Sequence, residues 1–232
     1  MRDFVLEEGK PFGLIYGKGF RRNDKGEVLV GANGLPQLSA GKTVLLGNIN
    51  PQWTGGVSSS FSYKNWNFNF VISHKQGGTV ASFTDAILYG SGLVDETLTG
   101  REGGLIFGQN IFTDVQAVKA ADGTKNDIAI TSETLWKALG GRSAPTGEAF
   151  ARSATNTRLR EMSIGYRLSF DRKIFVSSID ISLVGRNLLF LYRKDTNIDP
   201  DYVAGTTTIS EGFQSFAPPT TRSFGVNLRF NF

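Results

Sequence analysis

Apolar and polar side chains alternate strictly at the carboxy-terminal end of the chain. Ser, Gly, Asn and Arg separate five apolar residues: Phe224, Val226, Leu228, Phe230 and Phe232. Successive side chains of a β-strand point to opposite faces, so a period of two predicts a strand with one apolar and one polar face. Strands of soluble proteins average about 5–6 residues, whereas a tilted strand needs about 9–11 residues to cross a membrane. The ending is therefore predicted to be a strand of membrane-crossing length.

Four other segments show the same alternation and are predicted to be strands of an antiparallel sheet. They are residues 55–63, 66–74, 159–170 and 179–190. In the last segment the alternation weakens near Gly185. Lys64 and Asn65 separate the first two segments, and a gap of two residues between alternating runs predicts a β-hairpin.

The connections between these segments have two sizes. Residues 64–65 and 171–178 are short, whereas residues 75–158 and 191–220 are long, polar and rich in Gly and Thr. Short turns at one end of the strands and long loops at the other are typical of outer-membrane barrels, whose long loops are extracellular.

Weaker signals predict a few further elements. Ser132 can cap a helix over residues 132–139, which Gly140 and Gly141 would end. Two candidate strands flank an Asn-Asp-Lys-Gly turn near the amino terminus: residues 14–20 and 28–30.

Composition excludes several classes of function. The net charge is only +4 and the basic residues are scattered, so the chain lacks the clustered basic surface that nucleic-acid binding requires. There is no cysteine, which excludes disulfides and cysteine-ligated metals. The first residues lack the apolar stretch of a signal peptide, so a location in the outer membrane requires the true amino terminus to lie elsewhere.

The fold class predicted is all-β, an antiparallel partial transmembrane barrel with long extracellular loops. A secreted, soluble β-sandwich that binds carbohydrate is the alternative, because a sandwich shows the same alternation with its apolar face inward. Strand length, loop asymmetry and aromatic residues at strand ends favour the barrel. A complete membrane barrel needs at least eight strands, and an open edge leaves backbone groups unsatisfied in lipid, so the chain is predicted to be part of a longer barrel.

Several phrases of the sequence resemble the carboxy-terminal region of the SusC/RagA-like TonB-dependent outer-membrane transporters of Bacteroidetes. Their order and spacing extend over roughly residues 9–232. They are residues 47–56, 101–105, 159–166, 183–188, 197–201 and 222–232.

The resemblance implies a 22-strand barrel with an internal plug domain. Such transporters import oligosaccharides or peptides with a SusD-like lipoprotein at the extracellular mouth, driven through the TonB system. The plug and the TonB box are absent from this sequence, so residues 1–232 are expected to be the carboxy-terminal part of one barrel domain in the outer membrane of a Gram-negative cell. Contact with outer-membrane lipid and with the barrel assembly machinery is expected too. The resemblance makes the alternating residues 224–232 the assembly signal.

Two motifs that resemble ligand-binding loops are incomplete. Gly41-Lys42-Thr43 resembles the end of a phosphate-binding loop, but Pro36 stands where that loop requires glycine. The alternation Asp195, Asn197, Asp199 and Asp201 resembles the start of a calcium loop. Pro200 and Thr206 stand where such a loop requires glycine and glutamate, so a solvated loop with a turn at Asp199-Pro200 is the favoured interpretation.

No catalytic, cofactor-binding or metal-binding residue is predicted, and the chain is not expected to be an enzyme. His74 is the only histidine, and a serine hydrolase would depend on it, but no nucleophile elbow lies nearby. It is interpreted as a residue at the barrel rim. The strand arginines are interpreted as structural partners of Glu161 or Asp180; they are Arg160, Arg167, Arg186, Arg222 and Arg229.

Overall fold

A computed structural model of the chain describes residues 1–170, 175–201, 212–216, 218 and 220–232. The strands are β1 (Arg2–Val5), β2 (Leu14–Gly17), β3 (Val28–Val30), β4 (Val44–Asn48), β5 (Pro51–Tyr63), β6 (Trp66–Gly77), β7 (Thr79–Ser82), β8 (Ala117–Lys119), β9 (Ala151–Ser153), β10 (Asn156–Ser169), β11 (Ser178–Arg193), β12 (Phe213–Gln214) and β13 (Ser223–Asn231). The α-helices are α1 (Phe83–Gly90) and α2 (Ser132–Leu139), and short 3-10 helices lie at Asp95–Leu98 and Glu148–Phe150. No helix in these described ranges is long and apolar enough to span a membrane.

The chain forms two compact units, and each draws on segments that are distant in sequence. The core unit comprises Met1–Asn50, Thr79–Arg152 and the described part of Val203–Ala217. The sheet unit comprises the described residues of Pro51–Gly78, Ser153–Tyr202 and Pro218–Phe232.

The sheet unit is built on one antiparallel sheet of five long strands, in the order β13-β11-β10-β6-β5. Each of the five alternating segments forms one of these strands, so the predicted all-β antiparallel fold is confirmed. The strands are 9 to 16 residues long, which is the length that a tilted membrane strand requires. The predicted short connection 171–178 falls partly on residues 171–174, which lie outside the described residues.

The hairpin predicted between β5 and β6 is present. Tyr63 and Trp66 are directly paired, which leaves Lys64 and Asn65 as the turn. Lys64 has a φ of 53°, in the left-handed region that two-residue hairpin turns use. A lysine is uncommon in that conformation, so Lys-Asn is a weaker hairpin signal than Asn-Gly.

The core unit buries its aromatic residues in one contiguous cluster. Phe107, Phe150 and Leu135 are completely inaccessible to solvent. The rings of Tyr89 and Trp136 join α1 to α2 with their centroids 4.5 Å apart. These residues come from separate parts of the chain, so the cluster closes long loops and holds short elements together.

The core unit corrects the prediction that residues 75–158 form a long loop. That segment contains β7, α1, β8 and α2, and it supplies most of the buried cluster. The predicted helix over residues 132–139 is confirmed, but its cap is Thr131, whose hydroxyl accepts from the amide of Thr134 at 3.2 Å. Ser132 is buried and donates instead to the carbonyl of Thr97 at 2.6 Å. Of the two candidate strands near the amino terminus, residues 28–30 form β3, and only the first part of 14–20 forms a strand, β2.

Candidate functional site

In the sheet unit, residues that are paired across the five long strands have similar polarity. One row of paired residues is apolar: Phe61, Phe68, Ile164, Leu183 and Val226. The adjacent row is small or polar: Ser62, Asn67, Gly165, Ser182 and Asn227. Adjacent rows project to opposite faces of a sheet. The sheet therefore has a continuous apolar face and a continuous polar face.

The apolar face is exposed. The residues predicted to share a face on β13 do so, and their exposed fractions are 78% for Phe224, 61% for Val226, 57% for Leu228 and 50% for Phe230. Phe232, just beyond β13, is 75% exposed, and its ring lies 5.2 Å from that of Phe175. Soluble monomers rarely expose continuous apolar surface of this kind, so this face requires an apolar environment.

The soluble sandwich would bury this face under a second sheet. Ile164 is 44% exposed, and Phe68, Phe70 and Tyr166 are only half-buried. This pattern differs from the closed core that the carbohydrate-binding alternative requires.

The polar face is held together by contacts between neighbouring strands. Asn69 donates to the hydroxyl of Ser163 at 3.1 Å, which joins β6 to β10. Arg186 forms an ion pair with Glu161 at 2.8 Å, which joins β11 to β10. These bonds satisfy polar side chains within the sheet, and they make this face suitable for water.

The interpretation of the strand arginines is partly confirmed. Arg167 forms an ion pair with Asp180, and Arg186 forms one with Glu161. Arg229 lies opposite Asp180 in the strand ladder. The interpretation is wrong for Arg160, which pairs with Asp201 and not with Glu161 or Asp180. Within the described residues, Arg222 has no ion pair.

A β-bulge in β10 explains the position of Arg160. Leu159 pairs with Ile72 and Glu161 pairs with Val71, so Arg160 is one extra residue relative to β6. A bulge reverses the alternation of the residues that follow it. Arg158 and Arg160 therefore lie on the polar side of the sheet, whereas Ile164, an even-numbered residue after the bulge, lies on the apolar side.

These two arginines form a buried cluster with the segment that follows β11. Arg158, whose side chain is 3% exposed, donates to the carboxylate of Asp201 at 2.9 Å and to the hydroxyl of Thr220 at 2.6 Å. Arg160 reaches the same carboxylate at 2.8 Å. Asp199 accepts from the amide and the hydroxyl of Thr220 at 3.0 and 2.6 Å. The cluster thus fixes Asp199, Asp201 and Thr220 of the predicted long loop 191–220 to β10.

Burial acts to raise the pKa of Asp201, but the hydrogen bonds from Arg158 and Arg160 outweigh burial and hold that pKa below its usual value. The favoured interpretation of a solvated loop at residues 195–201 is therefore wrong for Asp201, which is enclosed by arginines. The resemblance to a calcium loop does not lead to a metal site either. No group of three acidic or histidine side chains suited to a metal ion is found in the described ranges.

His74 lies on β6 among neutral partners. Its ring Nδ1 is 2.8 Å from the Thr157 hydroxyl, and Nε2 is 3.3 Å from the side-chain oxygen of Gln76. The ring of Trp53 lies against it, with the centroids 4.6 Å apart. A hydrolase triad needs a carboxylate to orient the histidine, and no carboxylate bonds to this ring within the described residues.

No protein-family model matches the sequence. The chain is 21% identical to the TonB-dependent receptor P3 of Formosa agariphila over an alignment of 257 residues, which covers 97% of this chain and 23% of the receptor. Its fold is similar to the RagAB peptide importer in the closed-closed state, with a TM-score of 0.54, 16% identity, and coverage of 98% of this chain and 25% of that chain. A structure of the RagAB peptide transporter gives a TM-score of 0.56 with 18% identity, and covers 99% of this chain and 24% of that chain.

The resemblance to TonB-dependent transporters is confirmed. The fold is that of part of a transporter β-barrel, as predicted. The chain spans about a quarter of the length of the proteins it matches. The proteins that it resembles are receptors and transporters.

The sequence did not reveal the arginine cluster. The phrase at residues 197–201 contains the aspartates of the cluster, but nothing in it indicates their arginine partners. Arg158 is 41 residues before Asp199, and the bulge at Arg160 breaks the alternation that sequence reasoning follows. The signal in the sequence that points to the cluster is the break in alternation beside two arginines.

Proposed function

We propose that this chain supplies barrel wall and extracellular loops to a transporter in the outer membrane of a Gram-negative bacterium. The two-faced sheet is the observation that carries the proposal. Its apolar face suits lipid, and its polar face suits a water-filled lumen. Ion pairs such as Arg186–Glu161 are costly in hydrocarbon and are favourable beside water.

We propose further that residues 1–232 belong to one barrel domain as its carboxy-terminal part, with the plug and the TonB box in the rest of the protein. Within the described residues, β5 and β13 each pair on one side only. Unpaired strand edges cost several kcal/mol for each backbone group in lipid, so neighbouring strands must cover these edges. The similar solved structures belong to proteins about four times as long as this chain, a length that supports the proposal of further strands.

Peptides or oligosaccharides are the proposed cargo, taken up with a SusD-like lipoprotein and energised through TonB. The similar RagAB structures are named as those of a peptide importer or transporter, which supports this class of cargo. Cells that carry the complete protein should accumulate labelled peptide or oligosaccharide. Uptake should fail when TonB or the SusD-like protein is deleted. Unchanged uptake in the TonB deletion would contradict energised transport.

Spin labels on neighbouring residues of β13 test the orientation of the wall. In the complete protein in outer membranes, a label at Val226→Cys should be relaxed by oxygen, which concentrates in lipid. A label at the adjacent Asn227→Cys should be relaxed by a water-soluble nickel complex. Equal responses at both positions would contradict the proposed wall.

The alternating residues of β13, with Phe232, are the proposed signal for barrel assembly. Deleting Phe232 should lower the amount of heat-modifiable barrel in outer-membrane fractions, because the terminal strand must be recognised and paired before its edge is covered. Ligand affinity per folded molecule should not change, since the segments that follow β6 and β11 leave the sheet at the end opposite Phe232. A normal barrel level with weakened binding would contradict the assignment.

A further inference from the structure

A groove lies over β11 on the apolar face of the sheet unit, and its volume is about 470 Å³. Gly185 lies beneath it and is paired with Met162 on β10 and with Phe224 on β13. Because glycine has no side chain, a gap remains between these two large apolar residues. The rest of the lining is apolar too and includes Ile164, Leu183, Leu188 and Val226. In the proposed wall this groove therefore faces lipid.

Leu188 bounds the groove at one end. A Cβ at Gly185 would lie only 2.6 Å from Cδ2 of Leu188, so the leucine covers the position that a side chain would occupy. The leucine reaches this position because β11 is irregular here: Arg186 and Leu189 pair with β10, and Asn187 and Leu188 between them do not. Asn187 has a φ of 52°, which is consistent with a bulge. The bounded end is the one toward the end of β11, from which the predicted long loop leaves.

Arg222 lies beside this end of the groove. The side chain of Asn187 donates to the carbonyl of Thr221 at 3.3 Å, which joins the neighbour of Leu188 to the neighbour of Arg222. Arg222 also lies two residues before Phe224, and this spacing continues the apolar side of β13. The residue is exposed, and it forms no ion pair within the described part of the chain. A cation therefore stands at the bounded end of an apolar groove.

The charged residues around this end of the sheet unit leave an excess of positive charge. Asp199 lines a common cavity with Arg222. Its carboxylate already accepts from the Thr220 hydroxyl at 2.6 Å and lies 3.7 Å from Arg158. Among the described residues, six cations and three carboxylates lie here: Lys75, Arg158, Arg160, Arg193, Lys194 and Arg222, with Asp195, Asp199 and Asp201. An anionic group is therefore favoured beside Arg222.

We propose that the groove binds an acyl chain of a phosphate-bearing lipid in the outer leaflet, and that Arg222 contacts the phosphate. The inference rests on the proposed wall, whose extracellular loops leave this end of the strands. A soluble phosphate would leave the apolar groove empty, and an uncharged lipid would leave the positive charge without a partner. A lipid with both groups uses both features, because the groove buries apolar surface and basic residues attract anionic headgroups at a membrane surface.

The test titrates the purified complete transporter with lipid A that carries phosphate, and with the same lipid A after enzymatic removal of the phosphate. Native mass spectrometry measures the affinity for each lipid per folded molecule. The parent protein should bind the phosphorylated lipid more tightly. Arg222→Gln should weaken that binding by roughly 5-fold and leave the affinity for the dephosphorylated lipid unchanged. Arg229→Gln, at an exposed arginine opposite Asp180 on the polar face of the same strand, is the matched control and should have no effect.

Gly185→Ala tests the groove, because the added methyl group pushes Leu188 into it. Both lipids should bind roughly 4-fold more weakly, whereas Gly165→Ala, in the polar row of β10, should change neither affinity. Equal affinities of the parent protein for the two lipids would overturn the proposal. So would unchanged binding in Arg222→Gln or in Gly185→Ala, or displacement of the lipid by inorganic phosphate at equal concentration.

The spin label at Val226→Cys separates this proposal from the proposed function. If lipid selectivity fails while oxygen still relaxes the label, the wall stands and only the lipid site is overturned. If the nickel complex relaxes the label instead, the proposed wall is overturned as well.

Discussion

The two units of this chain use the same kinds of residue in opposite ways. In the core unit, Phe107 and Phe150 are fully buried in a cluster of aromatic rings. In the sheet unit, Phe224 and Phe230 are 78% and 50% exposed on a regular strand. The core unit is stabilised by contacts among its own side chains. The sheet unit satisfies its backbone by strand pairing but leaves the apolar face for another medium to cover.

This difference shows that the number of aromatic residues does not indicate whether they are buried or exposed. Their arrangement along the chain does indicate it. A period of two over 9 to 16 residues forms one face of a sheet, whereas scattered aromatic residues on short elements form a core. The polar residues of the sheet unit also occupy two environments. The ion pair between Arg186 and Glu161 is exposed on the polar face, whereas Arg158 and Asp201 are buried in the arginine cluster.

The largest expected effect of a single substitution is in the core unit. Phe107→Ala should destabilise this unit by about 3–5 kcal/mol, because it leaves a cavity that the surrounding rings cannot fill. Phe230→Ala, on the apolar face of β13, is the matched comparison and should cost less, since lipid closes over the smaller side chain. Hydrogen exchange under increasing denaturant, followed peptide by peptide in the complete protein, measures both. Equal losses at the two positions would remove the distinction between the units.

The arginine cluster should show the next largest effect. Arg158→Met should free the segment after β11, at a cost of about 1.5–3 kcal/mol for hydrogen bonds to a charged group. The loss stays in that range because Arg160 and Lys75 remain beside Asp201. A spin label at the exposed Thr196 should become mobile in this variant. Arg160→Met, at a side chain that is 35% exposed, should mobilise the label less. The reverse order would show that Arg158 does not fix the segment.

Acidification should release the same segment in the unmodified cluster. The pKa of Asp201 is held below its usual value, so its stabilising effect is fully present above the ordinary aspartate pKa of about 3.9. That effect is lost as the pH falls through the lower pKa of the folded state. The label at Thr196 should therefore become mobile only at acid pH in the parent protein, and should be mobile at every pH in Asp201→Asn. If the mobility of the label in the parent protein did not change with pH, the assigned ion pairs would be contradicted.

Sequence reasoning found the sheet unit because alternation records which side of a strand faces the apolar environment. It placed all five long strands and the row from Phe224 to Phe232. It found β3 and α2 of the core unit but not β7 or β8, which are four and three residues long and show no useful periodicity. The partners of such short strands are remote, as Val28 pairs with Ala117 in a parallel bridge of short strands. The sequence places the cap of α2 one residue late, since Thr131 and Ser132 are both good cap residues and only tertiary contacts distinguish them.

An arginine scan along β13 tests the assignment of the two faces most directly. Leu228→Arg should lower the stability of the folded barrel by about 2–4 kcal/mol, because it places a charge in lipid near the middle of a membrane strand. Asn227→Arg and Asn231→Arg should be tolerated, since their side chains leave the opposite face beside water. Refolding into lipid vesicles under increasing urea measures each variant. The losses of stability should alternate with a period of two along β13. Losses of equal size at residues 226, 227 and 228, or larger losses at the asparagines, would contradict the assignment of the two faces.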